Sequence, residues 1–194
     1  MSAQISALIE RWQEGDDRAA EAIYNQHRES IFRLAYGLLG NAADAEETAQ
    51  DVLAYALTSI RRYDPQRASF KTWLHTITVS RCRDRQRRRR LPSFSLSKWL
   101  QRGGDARDPA LTPERHTTRA ETYNEVWAAV QSLSQPQREA VLLRFWAGHT
   151  YQEMADILDC PLRTVQSRVR LAYKQLRAVL APTQLTNIEG ERAP

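Results

Sequence analysis

Residues 150–174, TYQEMADILDCPLRTVQSRVRLAYK, decide the fold of the second half of this chain. Thr150 and Glu153 have the spacing of a capping box, in which the threonine hydroxyl binds the glutamate backbone and the glutamate side chain reaches back. The short helix that begins there ends at the turn-forming Asp159-Cys160-Pro161, and a longer basic helix follows over about residues 163–180. These are the parts of a helix-turn-helix, whose second helix enters the major groove of DNA.

The second helix of this motif has one apolar and one polar face. The apolar residues recur at helical spacing and are predicted to point inward: Val165, Val169, Ala172 and Leu176. A polar stripe lies opposite them: Arg163, Ser167, Arg170 and Lys174. Because arginine pairs bidentately with guanine and glutamine with adenine, we predict base contacts near the helix start, from Arg163, Gln166, Ser167 and Arg170. We predict phosphate contacts from Arg168, Lys174 and Arg177. The alternative is an ordinary basic surface helix, against which the capping box and the turn argue.

A strongly basic segment lies at residues 61–90, within a chain whose formal net charge is +5. The segment has 11 basic and two acidic side chains, so the rest of the chain is mildly acidic. Such a concentration of positive charge indicates a polyanionic partner, most simply nucleic acid. The alternative is a solvated helix end.

An acidic stripe is predicted on the third helix, because Asp44, Glu47 and Asp51 recur at intervals of three and four residues. Glu46 and Gln50 lie beside it. A carboxylate stripe is either a solvated face or a surface that docks a basic partner helix. Periodicity alone does not choose between these two interpretations.

The hydrophobic periodicity predicts an all-α fold with two small helical domains joined by a flexible linker. In the first domain, residues 1–90, it predicts helices over residues 3–14, 17–39 and 43–62, and a fourth that Ser69 caps and that runs into the arginines. A linker rich in Pro, Gly and Ser is predicted at 91–120, with a brief helical turn at 97–100. The second domain, 121–180, is predicted to have helices over 121–133, from Pro136 to Gly148, and in the helix-turn-helix. A flexible tail at 181–194 completes the organisation.

Three segments, in this order, resemble conserved parts of bacterial sigma factors. DAEETAQDV at 44–52 resembles the helix of sigma region 2 that grips the polymerase clamp. SFKTWLHTI at 69–77, with Asp84 and the arginines after it, resembles the segment that recognises and melts the promoter −10 element. TYQEMA at 150–155 with TVQSRV at 164–169 resembles sigma region 4, which reads the −35 element. The resemblance covers about residues 5–180, and the combination of regions 2 and 4 with a short linker is similar to the extracytoplasmic-function group.

The resemblance implies roles for residues at matching positions. The polymerase-binding residues it implies are Asp44, Glu47, Gln50 and Asp51. The −10 residues are Arg67, Lys71, Ser80, Arg81, Arg85 and Arg88. The −35 residues are Arg163, Thr164, Gln166, Ser167, Arg168, Arg170 and Lys174. The implied partners are core RNA polymerase, promoter DNA and an anti-sigma factor, with no direct membrane insertion, and no cofactor or metal is expected.

Other details follow from this interpretation. The loop at 63–69 is expected to form the pocket for an unpaired −10 base, while the spacing of Phe70 and Trp73 with Ile77 favours core packing over base stacking. Two positions depart from the family, which usually has asparagine at Ser80 and often has glycine at Arg163, so altered base preference is expected at both elements. The linker is more basic than is usual for the family.

Two rival classes remain at the level of sequence. A dimeric helix-turn-helix regulator would bind operators but would need neither the acidic stripe nor the 69–90 segment. An enzyme such as a nuclease is disfavoured, because the four histidines lack metal-ligand spacing and no nucleophile motif is present. Zinc binding through Cys82, Cys160 and a histidine is weaker still. With two cysteines, no secretory signal and no apolar run near the ~18 residues of a membrane span, the sequence predicts a cytoplasmic protein.

Overall fold

The computed structural model describes residues 2–90 and 118–180, and every regular element in these two ranges is helical. The all-α fold is therefore confirmed. We call residues 2–90 the N-terminal domain and residues 118–180 the C-terminal domain. The turn predicted at 97–100 and the tail at 181–194 lie outside the described residues.

The N-terminal domain is a bundle of four α-helices, and local signals set their ends. The helices are α1 (Ser2–Gln13), α2 (Asp17–Leu39), α3 (Ala42–Thr58) and α4 (Phe70–Arg90). Asp16 caps α2 by accepting a hydrogen bond from the Arg18 backbone at 3.0 Å. Gly40, with φ 70°, ends α2 in the left-handed region that suits glycine.

The C-terminal domain has four helices: α5 (Thr118–Ser132), α6 (Gln135–Val141), α7 (Tyr151–Leu158) and α8 (Leu162–Val179). A π-helical turn, Leu142–Trp146, extends α6. The Thr150 capping box is confirmed, since the Glu153 backbone donates to the Thr150 hydroxyl at 3.2 Å and the Thr150 backbone donates to the Glu153 carboxylate at 2.8 Å. Asp159 turns the chain between α7 and α8 with φ 50°.

The helix predictions are confirmed to within a few residues, with two differences. The helix predicted over 43–62 ends at Thr58, and Ile60–Arg62 forms a separate 3-10 turn. The helix predicted from Pro136 to Gly148 changes from α to π geometry at Leu142. Gly148 does end it, with φ 71°. In the fourth helix, the Ser69 hydroxyl accepts from the Thr72 backbone at 3.1 Å, as expected of a cap.

The two domains pack directly against each other. One apolar cluster lies wholly in the N-terminal domain, around Ile23, Val52 and Phe70. The other contains Leu34 and Val79 of the N-terminal domain together with the buried residues of the C-terminal domain. The sequence analysis predicted two domains joined by a flexible linker, and the structure gives these two domains a shared core that the sequence did not indicate.

Candidate nucleic-acid and protein-binding surfaces

Helix α8 presents the polar stripe that the sequence predicts. Val165, Val169, Ala172 and Leu176 are buried, so the opposite side of the helix faces solvent. The exposed members of the predicted −35 set are Arg163, Gln166, Arg170 and Lys174. The half-buried members are Thr164, Ser167 and Arg168. Arg168 donates to Cys160 Sγ at 3.5 Å, which ties this arginine to the turn of the motif.

Helix α4 holds most of the predicted −10 residues, but these residues differ in what they contact. One face is open: Ser80 and Arg88 are exposed, and Arg81 is half-buried with its guanidinium 5.2 Å from the centre of the Tyr55 ring. Arg67, in the loop before the helix, is also exposed. Within residues 2–90 and 118–180, none of these four residues forms a hydrogen bond or an ion pair with the C-terminal domain.

Beside this open face, Arg85 and Arg89 of α4 contact the acidic stripe of α3. Arg85 Nε donates to Asp44 Oδ1 at 3.0 Å, and the same guanidinium pairs with Glu47. Arg89 pairs with the other oxygen of Asp44, whose exposed fraction is only 7%. The hydrogen bond from Arg85 lowers the pKa of Glu47, and the hydrogen bond to Glu47 raises the pKa of Arg85. Two residues predicted for polymerase thus pair with one residue predicted for DNA and with Arg89.

The other half of the acidic stripe is accessible. Gln50 and Asp51 are exposed on α3. Gln50 donates weakly to Glu46 at 3.4 Å, and Glu46 accepts from Arg28 of α2 at 2.7 Å. Arg28 was missed by the sequence analysis, because a contact between residues 18 positions apart leaves no trace in helical periodicity.

Another face of α4 contacts the C-terminal domain. Lys71 Nζ donates to the Ala147 carbonyl at 2.6 Å, and the Thr72 hydroxyl donates to Glu153 at 3.1 Å. Arg83 binds Glu139 bidentately, at 2.9 and 2.7 Å. Lys71, one of the predicted −10 residues, therefore binds the C-terminal domain in this conformation.

Two histidines complete this face. His75 Nδ1 and His149 Nε2 are 2.7 Å apart, His75 Nε2 is 3.2 Å from the Ser30 hydroxyl, and His149 Nδ1 is 3.7 Å from Glu153. The Glu153 charge favours a proton on His149 Nδ1, so His75 donates through Nδ1 and accepts from Ser30. Burial holds the pKa of His75 well below 6.5 and lowers that of His149 to about 4, so both rings are neutral. The sequence analysis considered these histidines only as metal ligands.

The loop at 63–69 lies against an aromatic cluster. The Tyr63 hydroxyl donates to the Ala68 carbonyl at 3.2 Å, and its ring meets Phe70 edge-on at 5.1 Å. Phe70 is buried and Trp73 is partly buried in the N-terminal core, which confirms the expected core packing of both residues.

The cysteines and histidines do not form a metal centre in the described ranges. No group of three or more His, Cys, Asp or Glu side chains with metal-binding geometry occurs there. Cys82 is buried in the core shared by the domains, and burial raises its pKa to about 12. Cys160 lies in the turn between α7 and α8. None of the described helices is long and apolar enough to cross a membrane.

The chain matches two conserved regions of one family. Residues 23–91 match Sigma-70 region 2, and residues 123–176 match Sigma-70, region 4. It is 30% identical over 184 residues to the ECF RNA polymerase sigma factor SigK of Mycolicibacterium vanbaalenii, covering 93% of this chain and 91% of that protein. It is 35% identical over 162 residues to the ECF RNA polymerase sigma factor SigE of Mycolicibacterium smegmatis, covering 83% of this chain and 61% of that protein.

The same architecture occurs in a solved structure. The sigma factor RpoE from Bartonella quintana, crystallised in complex with the anti-sigma factor NepR, superposes with a TM-score of 0.66. The match covers 82% of this chain and 94% of that chain at 23% sequence identity, which is a likeness of fold.

Proposed function

The chain belongs to the extracytoplasmic-function group of RNA polymerase sigma factors, and we propose how its surfaces divide the work of directing core polymerase to promoters. The observation that carries the proposal is the α8 helix, whose apolar side is buried while a basic and amide-bearing side faces solvent. Such a helix, held by a capped partner and a tight turn, fits the major groove.

For the −35 element, we assign base contacts to the start of α8 and phosphate contacts to its middle. The exposed Arg163, Gln166 and Arg170 have the donors and acceptors that read base edges. Lys174 is exposed farther along the stripe and supplies charge to the backbone. The half-buried residues support the docking of α8 on DNA from the edge of the contact; they are Thr164, Ser167 and Arg168.

For the −10 element, we assign the open face of α4 and the loop before it. Arg81 and Arg88 supply charge for strand phosphates, and Ser80 lies between them and the loop. Arg67 extends the basic surface to the loop, where an extruded base would be held. Arg85 positions Asp44 and Glu47 instead of binding phosphate.

For core polymerase, we assign the accessible half of the acidic stripe. Asp51 and Gln50 face solvent and can meet a basic helix directly. Asp44 and Glu47 are bound to Arg85, so they contribute by fixing α3 against α4. We further propose that the chain works in the cytoplasm beside the polymerase, and that an anti-sigma protein binds it and holds it inactive, by analogy with the complex of the Bartonella quintana sigma factor with the anti-sigma factor NepR.

A transcription assay with purified core polymerase tests the proposal. The chain is expected to form a complex with core and to start RNA synthesis at a small set of promoters selected from a genomic library. A stand-alone operator-binding regulator would bind DNA without associating with core. Failure to associate with core, also after any bound inhibitor has been removed, rejects the proposal.

The −35 role has a matched pair of variants. Gln166→Ala is expected to reduce transcription from −35-dependent promoters about tenfold, because one bidentate base contact provides ~1–3 kcal/mol of discrimination. Gln175→Ala is the control, since Gln175 is also an exposed glutamine of α8 but lies on the opposite flank of the stripe. An equal loss in both variants would remove Gln166 from the base-reading set.

A further inference from the structure

We propose that Tyr55 of α3 is a positioning residue for the −10 surface, where its ring holds Arg81 and its hydroxyl holds Arg62 so that both guanidinium groups bind strand phosphates as one unit. Arg81 already belongs to the predicted −10 set, whereas Tyr55 and Arg62 do not. The inference rests on the proposed −10 function of this surface. It is carried by the contacts of one half-buried ring.

The ring extends from a backbone position that is firmly held. Tyr55 lies in the last turn of α3. Its carbonyl accepts a hydrogen bond from the Ser59 backbone at 2.9 Å and another from the Thr58 hydroxyl at 3.1 Å. These two bonds close the last turn, so the ring leaves the helix at a fixed point, beside α4.

Arg81 of α4 is held by the face of this ring and not by an opposite charge. Its guanidinium carbon lies 5.2 Å from the ring centre, within the distance of a cation–π contact. Arg85, one turn later, is instead paired with Asp44 and Glu47. In the part of the chain that the structure describes, no carboxylate pairs with Arg81. An aromatic face orients a guanidinium without neutralising it, so Arg81 keeps its charge for a ligand.

Arg62 reaches the same tyrosine from the 3-10 turn that follows α3. Its Nη1 donates to the Tyr55 hydroxyl at 3.3 Å, its side chain is exposed, and among the described residues it has no carboxylate partner. Two like charges that converge on one side chain repel each other, so an anion beside them stabilises the arrangement. A nucleic-acid strand, with one phosphate charge per ~3.4 Å of its axis, supplies such anions.

Tyr55 thereby connects the two parts of the −10 surface. Arg81 lies on the open face of α4, and Arg62 directly precedes the loop at 63–69. One ring therefore sets the spacing between a phosphate contact on the helix and a phosphate contact at the loop, where an extruded base would be held.

The alternative is that Tyr55 only packs between α3 and α4. A ring that only packs would change DNA affinity by the same factor whether or not the arginines are present. A positioning ring acts through the arginines, so the effect of each arginine depends on the ring. Coupling between the two changes in a double-mutant cycle distinguishes these roles.

The test crosses changes at Tyr55 with removal of each arginine in the full chain. Tyr55→Phe keeps the ring and removes the hydroxyl, whereas Tyr55→Leu removes both. Each is combined with Arg81→Ala and with Arg62→Ala, and Arg18→Ala, at an exposed position of α2, is the control. One probe is a promoter duplex recovered by the transcription assay, titrated with the chain bound to core polymerase. The other is a single-stranded thymidine oligonucleotide, titrated with the free chain.

With Tyr55 in place, removal of either arginine is expected to lower the affinity for both probes about fivefold. It should also lower the slope of log affinity against log salt by about 0.7 on the oligonucleotide. Arg18→Ala should change neither quantity. In Tyr55→Phe, Arg81→Ala should retain its effect while the effect of Arg62→Ala falls to about twofold or less, and in Tyr55→Leu both effects should fall to that level.

Equal effects of each arginine change in the parent, in Tyr55→Phe and in Tyr55→Leu overturn the inference, because the ring then acts by packing alone. Circular dichroism reports whether each variant folds. Since Tyr55→Leu can fail to fold, pentafluorophenylalanine at this position is a second variant, which keeps the ring but removes the negative charge of its faces. An effect of Arg81→Ala that is as large there as in Tyr55→Phe also overturns the inference.

Failure of the proposed function gives a different result. If the parent binds neither core polymerase nor the promoter duplex, the proposed function is rejected, and the oligonucleotide titrations of the free chain still decide the role of Tyr55. If the parent binds the promoter duplex with core and the arginine effects do not depend on Tyr55, only the present inference is rejected. A parent that binds neither DNA probe contradicts both.

Discussion

Arg85 and Arg88 lie three positions apart on α4, yet their surroundings give them different roles. Arg85 binds two carboxylates of α3, whereas Arg88 is exposed on the helix surface. Arg85→Ala removes one of the two arginines that pair with the buried Asp44. We therefore expect the free energy of unfolding to fall by about 2 kcal/mol. Arg88→Ala should change it by less than ~0.5 kcal/mol, but should lower the slope of promoter affinity against salt by about 1.

Urea denaturation and promoter titrations at several salt concentrations measure these two effects on the same pair of proteins. The assignment of Arg85 as a positioning residue is wrong if the two variants unfold at the same urea concentration. The phosphate role of Arg88 is wrong if its salt slope equals that of the parent.

This pair also illustrates what the sequence predicts of a site. The concentration of positive charge at 61–90 was visible in the sequence because charge density is a local property, and it led to the prediction of a polyanionic partner. The different surroundings of Arg85 and Arg88 were not predictable from the sequence. They depend on Asp44, which lies 41 positions from Arg85 and contacts it only because α3 packs on α4.

Among the elements, helix α7 has only eight residues, and its stability depends on the capping box at its start. A helix of two turns is marginal without a cap. The Glu153 carboxylate accepts one hydrogen bond from the Thr150 backbone and another from the Thr72 hydroxyl of the N-terminal domain. Thr150→Ala should cost about 1 kcal/mol and lower the Tm by ~2–4 °C, whereas Thr150→Ser retains the hydroxyl. Thermal unfolding measures both, and an equal fall in the serine variant would show that the lost methyl group is responsible.

The elements themselves were largely predictable, because caps and glycines are local signals. Ser69, Gly40 and the Thr150 box each acts within a few residues of the boundary that it sets. The π-helical geometry at Leu142–Trp146 was not predictable, since this segment continues an amphipathic helix in sequence and packs against α2 of the other domain.

For the whole molecule, docking of the domains was beyond the reach of sequence patterns, because its contacts join distant residues. His75 and His149 are 74 positions apart, and Lys71 and Ala147 are 76 apart. Each domain has an amphipathic pattern that a smaller separate core would also satisfy. What distinguishes the shared core is complementarity between surfaces, which only three-dimensional packing reveals.

This docking should depend on pH. The charged or titratable neighbours of the His75–His149 pair are His27 and Lys71, which disfavour its protonation, and Glu153, which favours a charge on His149. Both rings have pKa values below 6.5 while the domains are docked, that of His149 being about 4, so the docked chain binds fewer protons than a chain in which this contact is broken. The contribution of the two neutral rings to docking is therefore fully present above about pH 6.5 and is lost as the pH falls toward 4.

Each histidine that takes up a proton when the domains separate shifts the equilibrium toward separation by up to about tenfold per pH unit. We expect the radius of gyration to increase between pH 7 and pH 5 in scattering measurements, with helix content retained. The double variant His75→Leu and His149→Leu keeps an apolar contact but has no proton to gain there, so its compaction should be independent of pH over this range. Since His27 is present in both proteins, equal expansion of the double variant would assign the response to other groups and remove the histidine pair as its cause.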